Sequence, residues 1–360
     1  MTIWWVTLHR LETIGAIILF KADIRTALLA YGAIGDEHNK ALLSTPGMVL
    51  SAVCDTNPDR LNAALQIAPN AKGFNDAQVM LDSGDIDLVV VSTPPNTHFY
   101  WAKQALSRGI NVVLEKPMAL TTNECDELIA LADASKLLLV VYQNRRFDAD
   151  FVTIKSLIDS GEIGEVFHYE SFVGGYSKPC SYWHSDVAVS GGAIFDWGSH
   201  FIDQILAVIA SPLDHVTGLN QKRVWDHVTN ADHAQVTLTF TDGVQAIFTN
   251  SDLAAARKPK YFILGTKGSI VGDWDLSAGD SVADLPAKIS IHRANGSVEA
   301  IPLQSVKPYT FHESLVARIN EGKTMSVTSA QSRDVVAIMQ AAEESALKNG
   351  LPVAAKLLRA

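Results

Sequence analysis

Cysteine is scarce in this 360-residue chain. The three that occur, Cys54, Cys125 and Cys180, are far apart, odd in number and include no Cys-x-x-Cys pair. That excludes a disulfide framework and fits a reducing cytosol. Clustered basic residues are missing too. The net charge is −10 and the pI about 5.5, and no run of Lys and Arg supplies the counter-charge that a nucleic acid or an anionic membrane demands. Long apolar runs are the third absence. The opening stretch, residues 1–24 (MTIWWVTLHRLETIGAIILFKADI), is apolar only in patches. It falls well short of the roughly 20 residues of a membrane span, and it lacks the basic start and cleavage site of a signal peptide. It reads as an extension ahead of the first domain, with no chemistry of its own.

What is present is apolar bulk, 48% hydrophobic residues against 19% charged, the profile of a soluble globular protein with a sizeable core. The length suits two domains. From Arg25 onward strand-like and helix-like stretches alternate: TALLAYG, DEHNKALLST, MVLSAVCD, PDRLNAALQIA, a short GF, DAQVMLDSG, IDLVVVSTP, THFYWAKQALSRG, NVVLEKP, TNECDELIALADASK and LLLVVYQNRRF. Near-continuous apolar strands separated by helices predict a parallel sheet covered on both faces, a Rossmann-type α/β domain over residues 25–146.

The turn after the first strand almost spells the Gly-x-Gly-x-x-Gly dinucleotide fingerprint, but reads Ala30, Tyr31, Gly32, Ala33, Ile34, Gly35. Gly32 stands where the backbone passes close to a pyrophosphate, and Gly35 where helix and strand pack tightly. Ala30 replaces the glycine of the tight turn, which alanine can fill if φ stays negative. Asp55 ends the second strand twenty residues beyond Gly35, where a carboxylate can accept both hydroxyls of an adenosine ribose and repel a 2′-phosphate. NAD is therefore favoured over NADP. The alternative for Asp55 is a helix cap near Pro58. Ser92, Thr93, Pro94, Asn96 and His98 lie where the fourth strand meets the ligand crevice; capping the next helix is their other reading.

Glu115 and Lys116 end the fifth strand. A lysine at the mouth of a buried apolar strand needs a partner for its ammonium, unless it merely snorkels past the sheet edge. The segment SGGAIFDWGSHFIDQIL places Asp196 and His200 four residues apart, on one face of a helix, with Asp203 near that face. Histidine suits proton abstraction from a hydroxyl near neutral pH. Metal ligation and a plain surface ion pair are the competing readings, and no third ligand stands at a persuasive spacing.

After Phe147 the pattern changes. Asp-Gly, Lys-Gly and Asn-Gly turns punctuate paired strands, predicting an open, mainly antiparallel sheet backed by helices in an α+β domain over residues 147–360. The loop GGYSKPCSYWHSD can fold over a sugar ring, stacking Tyr176, Tyr182 or Trp183 and donating from His184, or its aromatics can pack an interface. Cys180 and His184 make only half a zinc site. Asn144 and Arg145 stand where the last Rossmann strand ends and can reach cofactor or substrate, or an arginine there can bridge the domains.

These residues resemble the Gfo/Idh/MocA oxidoreductase family, named for glucose–fructose oxidoreductase, inositol dehydrogenase and rhizopine catabolism. The resemblance covers nearly the whole chain from about Arg25 and rests on AYGAIG, VCD, STPPNTH, LEKP, YQNRRFDADF and GGAIFDWGSHFIDQIL. The one departure is Ala30. The resemblance implies that Lys116, Asp196 and His200 are the catalytic lysine, aspartate and histidine, and that the Lys116–Pro117 bond is cis. It also implies hydride transfer between a nicotinamide cofactor and a sugar, inositol or related polyol in the cytoplasm. A homodimer or homotetramer formed through the open sheet face is a further expectation. Two rivals remain: a relative that uses tightly held NAD in glycoside cleavage, and a nucleotide-sensing regulator without turnover.

Overall fold

The computed structural model describes residues 23–279 and 285–359; the extension expected at residues 1–24 lies almost wholly outside them. The first lobe runs β1 (Ile24–Leu29), α1 (Gly35–Ser44), β2 (Met48–Cys54), α2 (Pro58–Ile67), β3 (Lys72–Phe74), α3 (Ala77–Leu81), β4 (Leu88–Val91), α4 (His98–Leu106), β5 (Asn111–Leu114), α5 (Thr122–Ser135) and β6 (Leu139–Val141). All six strands are parallel, in the order β3-β2-β1-β4-β5-β6. This is the doubly wound order, with its switch point and ligand crevice at the carboxyl ends of β1 and β4.

Local chemistry sets the boundaries. The four residues of β4 are all buried, as a strand covered on both faces requires. Asn57 starts α2 by accepting from the Asp59 and Arg60 amides at 2.9 and 3.2 Å, with Pro58 in the first turn. Thr121 and Glu124 form a reciprocal capping box on α5.

The second lobe continues with α6 (Ala149–Asp159), β7 (Val166–Gly174), α7 (Val187–Ser190), α8 (Ala193–Val208), β8 (Leu213–Gln221), β9 (His233–Phe240), β10 (Gln245–Ser251), β11 (Tyr261–Gly265), β12 (Gly268–Trp274), β13 (Ala287–Arg293), β14 (Val298–Ile301), α9 (Thr310–Glu321) and α10 (Ser329–Leu347). Its eight strands are ordered β14-β13-β12-β11-β7-β10-β9-β8. The pairings are antiparallel except β7 with β10. The three predicted hairpins are β9–β10, β11–β12 and β13–β14. Helices α6, α8 and α10 pack on the sheet. The row Thr217, Thr237, Ile247, Glu170, Phe262, Val271 and Ser290 runs across it in register, each residue half-buried.

Two elements depart from the pattern read in the sequence. The stretch expected as one long final strand stops at Val141 and turns into a 3-10 segment, Asn144–Phe147. Helix α9, counted above with the second domain, buries Phe311 and Leu315 among Leu28, Tyr31, Leu42 and Met48 of the first. The chain thus returns to brace the nucleotide lobe from behind. Among the described residues no helix is long and apolar enough to cross a membrane.

Candidate active site

Beyond β1 the chain turns sharply at Ala30. Its amide donates to the Cys54 carbonyl at 2.8 Å, and its carbonyl accepts from the Ser92 hydroxyl at 2.8 Å. Held at both ends, Ala30 has φ of +75°. The expectation of a negative φ is thereby corrected: this turn needs the left-handed conformation that the missing glycine favours, and alanine occupies it under strain. Gly35 is tightly enclosed, because a Cβ there would lie 3.0 Å from the Tyr31 ring. A Cβ on Gly32 would meet nothing within 4 Å, so space remains above the turn. Helix α1 starts with no side-chain cap, leaving amides beside Ala33 and Ile34 for an anion.

Asp55 is 6% exposed and receives two backbone amides, Tyr31 N and Asn57 N, both at 2.7 Å. It therefore ties the second strand to the glycine turn, and the helix cap belongs to Asn57. Ser92 also donates to the Leu29 carbonyl at 3.1 Å, so its hydroxyl serves the turn. Thr93 accepts from the Thr97 hydroxyl at 2.8 Å. Pro94 lies half-buried at the mouth of the crevice and Asn96 is exposed there. His98 departs from its expected cofactor contact. It is fully buried, with Nδ1 2.7 Å from the Pro117 carbonyl and Nε2 2.8 Å from that of Thr93. The ring thus sits between a carbonyl of each loop, and burial keeps it neutral, so its single N–H donates to one of the two.

Glu115 is buried against His38, with Oε1 2.8 Å from Nε2, while Oε2 accepts the Lys116 amide at 3.1 Å. Burial alone would raise its pKa; the His38 hydrogen bond and the Lys116 charge outweigh that and hold it low. The Lys116–Pro117 peptide is cis. From this loop Lys116 crosses to the second lobe, where Nζ lies 2.5 Å from Asp196 Oδ1 and 5.9 Å from the centre of the Trp197 ring. Asp196 is desolvated, yet the Lys116 ammonium holds its carboxyl below the usual range.

His200, one turn along α8, is 5% exposed, and its Nδ1 has no partner among the described residues. Its ring lies 5.7 Å from that of Trp197. Burial first, then the charges of Lys116 and Arg145, push its pKa well below that of an ordinary histidine, so a neutral imidazole faces this group. Asp196 bonds to Lys116 and makes no bond to His200 among the described residues. Asp203 also belongs elsewhere. It is 1% exposed and holds Arg146 in a bidentate pair of 2.5 and 2.6 Å. That pair is the arginine bridge between the lobes, and Arg146 also donates to the Ser326 carbonyl at 2.6 Å. Arg145 stacks on Trp197 at 5.5 Å and pairs with Asp148 at 3.4 Å. Asn144 opens the adjoining 3-10 segment.

Next to Asp196 opens a cleft of about 570 Å³, within the usual range for a small-molecule site. Tyr176, Tyr182, His184, Asp196 and Trp197 line it. Tyr176 and Tyr182 are 59% and 60% exposed, and they pack edge-on against Trp225 and His184 respectively. Trp183, an expected platform, is instead stacked on His184 at 3.5 Å between ring centres and is absent from the lining. His184 is pushed down by burial, with Asp196 opposing. Cys180 lies 3.4 Å from the Ser185 hydroxyl; among the described residues no three His, Cys, Asp or Glu side chains gather as metal ligands. Asn250, Asp252 and Arg257 line the cleft as well. Asn250 lies near the end of β10 and the other two follow it, none within a motif, and the pairing of β10 with β7 brings them to the loop after β7.

A doubly wound lobe with a glycine turn, facing a sheet lobe that carries an Asp-x-x-x-His helix, defines a nucleotide-dependent oxidoreductase. The chain belongs to the Gfo/Idh/MocA family: residues 24–143 match its oxidoreductase NAD-binding Rossmann fold and residues 151–271 its C-terminal domain. It is 27% identical over 340 residues to the scyllo-inositol 2-dehydrogenase (NADP(+)) IolW of Bacillus subtilis, covering 89% of this chain and 93% of that one. It is 26% identical over 356 residues to the scyllo-inositol 2-dehydrogenase (NAD(+)) of the same organism, covering 94% and 98%. The solved structure of yvaA from Bacillus subtilis superposes with a TM-score of 0.83 at 27% identity, covering 93% and 99%.

Proposed function

We propose that this protein oxidises, reversibly, a secondary hydroxyl of a sugar, inositol or related polyol, with NAD as the hydride acceptor. The observation that carries the reading is the convergence across the lobes: the Lys116 ammonium sits 2.5 Å from Asp196, one helical turn from His200, at the edge of a cleft with exposed tyrosines. The names of the relatives support the inositol end of the substrate range.

The residues of the first lobe suit a dinucleotide. Open space over Gly32, uncapped amides at the start of α1 and a fixed carboxylate at Asp55 correspond to diphosphate and ribose. NAD over NADP rests on Asp55, whose charge opposes a 2′-phosphate. When bound, the nicotinamide supplies the hydride acceptor. The chain supplies the rest. His200, neutral because of burial and two nearby cations, takes the hydroxyl proton. Lys116 donates to the reacting oxygen and stabilises negative charge as it develops there. Asp196 holds Lys116 in position. Tyr176 and Tyr182 cover the ring. The three cysteines are free thiols, in keeping with a cytoplasmic enzyme, and the half-buried row across the second sheet suits contact with a second copy.

The test is NAD reduction over a panel of sugars and inositols, with NADP alongside, for the wild type and His200→Ala. General-base assistance is worth about 10²–10⁴ in rate, so the variant should lose that much turnover while NADH fluorescence titration stays unchanged. Undiminished turnover refutes the assignment. NAD binding with no turnover on any substrate favours a regulator, and product without net NADH favours glycoside cleavage.

A further inference from the structure

Several polar side chains lining the cleft are already engaged by the protein. Asp196 is bonded to Lys116, and Asn230 donates to the His184 carbonyl at 2.8 Å. Asn250 donates to the Ala193 carbonyl at 3.3 Å. Asp252 differs. Its backbone is fixed on both sides, the amide donating to the Asp232 carbonyl at 2.8 Å and the carbonyl accepting from the Ser177 amide at 3.2 Å. Its carboxyl is half-buried in the cleft wall and has no hydrogen bond or ion pair among the described residues. A rigidly mounted acceptor without a protein partner is costly where water is thin, and the cost is relieved when a ligand donates to it. An ionised carboxylate accepts at two oxygens and donates at none. Its natural complement is a pair of neighbouring hydroxyls.

We infer that Asp252 reads two adjacent hydroxyls of the polyol, on carbons other than the one oxidised, and so decides which stereoisomer the enzyme accepts. The inference rests on the reading of the cleft as the polyol site and deepens it. Lys116 and His200 act at the reacting carbon; Asp252, reached from a different strand, fixes the far side of the ring and hence which carbon is presented.

The electrostatic setting adds an independent signature. Around the carboxyl stand Asp196 of α8, Asp232 ahead of β9, Lys222 after β8, Arg257 further along its own segment, and Tyr176, Cys180, Tyr182 and His184 of the loop after β7. Burial, then the charge of Asp232, push it up, with Lys222 opposing, and Asp196 adds to the rise; the carboxyl is raised to about 6. Its acceptor form is therefore present above pH 6 and lost below. His184 and His200 are both lowered and Asp196 lies below the usual carboxylate range.

The experiment measures KM and kcat from pH 5 to 8 for the wild type, Asp252→Asn and Asp252→Ala. The substrate is whichever of myo-inositol, scyllo-inositol, D-glucose or D-xylose the wild type turns over fastest. Losing hydrogen bonds to a charged acceptor should raise KM roughly 10- to 100-fold with kcat changed less than about threefold. In the wild type KM should fall as pH rises through 6, and in Asp252→Asn that dependence should vanish. A deoxy analogue lacking one of the two hydroxyls should lose affinity in the wild type and lose no more in the variant. An unaltered KM in both variants, or a pH dependence that survives in Asp252→Asn, overturns the inference and leaves the dehydrogenase reading intact. A wild type that turns over none of the four overturns both.

Discussion

Restoring the missing glycine is the most direct test of how the nucleotide turn is built. Ala30 is held at φ of +75° by bonds at its amide, at its carbonyl and at the following amide, which Asp55 receives at 2.7 Å. A left-handed conformation costs an L-residue about 1–2 kcal/mol, and glycine returns about 0.5–1 kcal/mol of that through its freer unfolded chain. Ala30→Gly should therefore stabilise the protein by about 0.5–1 kcal/mol. Each kcal/mol moves Tm by about 2–4 °C in a protein of roughly this size, so scanning calorimetry should show a rise of about 1–4 °C. Because the turn already has its shape, NADH affinity measured by fluorescence titration should shift less than about threefold. A lower Tm would mean that Ala30 is not strained. A large change in affinity would mean that the turn rearranges on binding.

Two further predictions concern the interior. Asp203→Asn leaves the half-buried Arg146 with only the Ser326 carbonyl and Gln331 as acceptors among the described residues and should cost about 1–3 kcal/mol in urea unfolding; a loss below about 0.5 kcal/mol would show that the bridge does not couple the lobes. Asp148 is pushed by burial to about 6, with Arg145 opposing, so its proton is bound more tightly in the folded state than in the unfolded chain. Its ionisation then costs stability as pH rises from about 4 through 6. Asp148→Asn should be more stable than the wild type at pH 8 by about 1–3 kcal/mol and equal to it near pH 4, and a difference independent of pH would refute this.

Where a signal lay in consecutive residues, it was legible. The buried run Leu88–Val91 sits between its helices as an apolar stretch should, and the three turn-marked hairpins lie in the second sheet. The spacing of Asp196 and His200 on one helix needed no tertiary information, since 3.6 residues per turn already puts them on one side. Partner choice was not legible. The loop histidines and aromatics offered equal chemistry, and burial assigned His98 to two backbone carbonyls and Trp183 to stacking on His184. Helix α9 carries an amphipathic pattern, but nothing in that pattern says which lobe it covers.

The chain's own letters determined the alternation of strand and helix, the place of the glycine turn, and the shared helix face of Asp196 and His200, because each depends on residues close in sequence or on a fixed period. Only the folded molecule decided that Lys116, eighty residues earlier, meets Asp196, that Asp203 belongs to Arg146, and that Asp252 is left facing the cleft with no partner among the described residues. The first two outcomes depend on how two separately formed sheets are set against each other, and the third on how β10 pairs with β7 inside the second sheet. Hydrogen bonds and ion pairs form between whatever that docking brings within about 3 Å, and no local pattern encodes it.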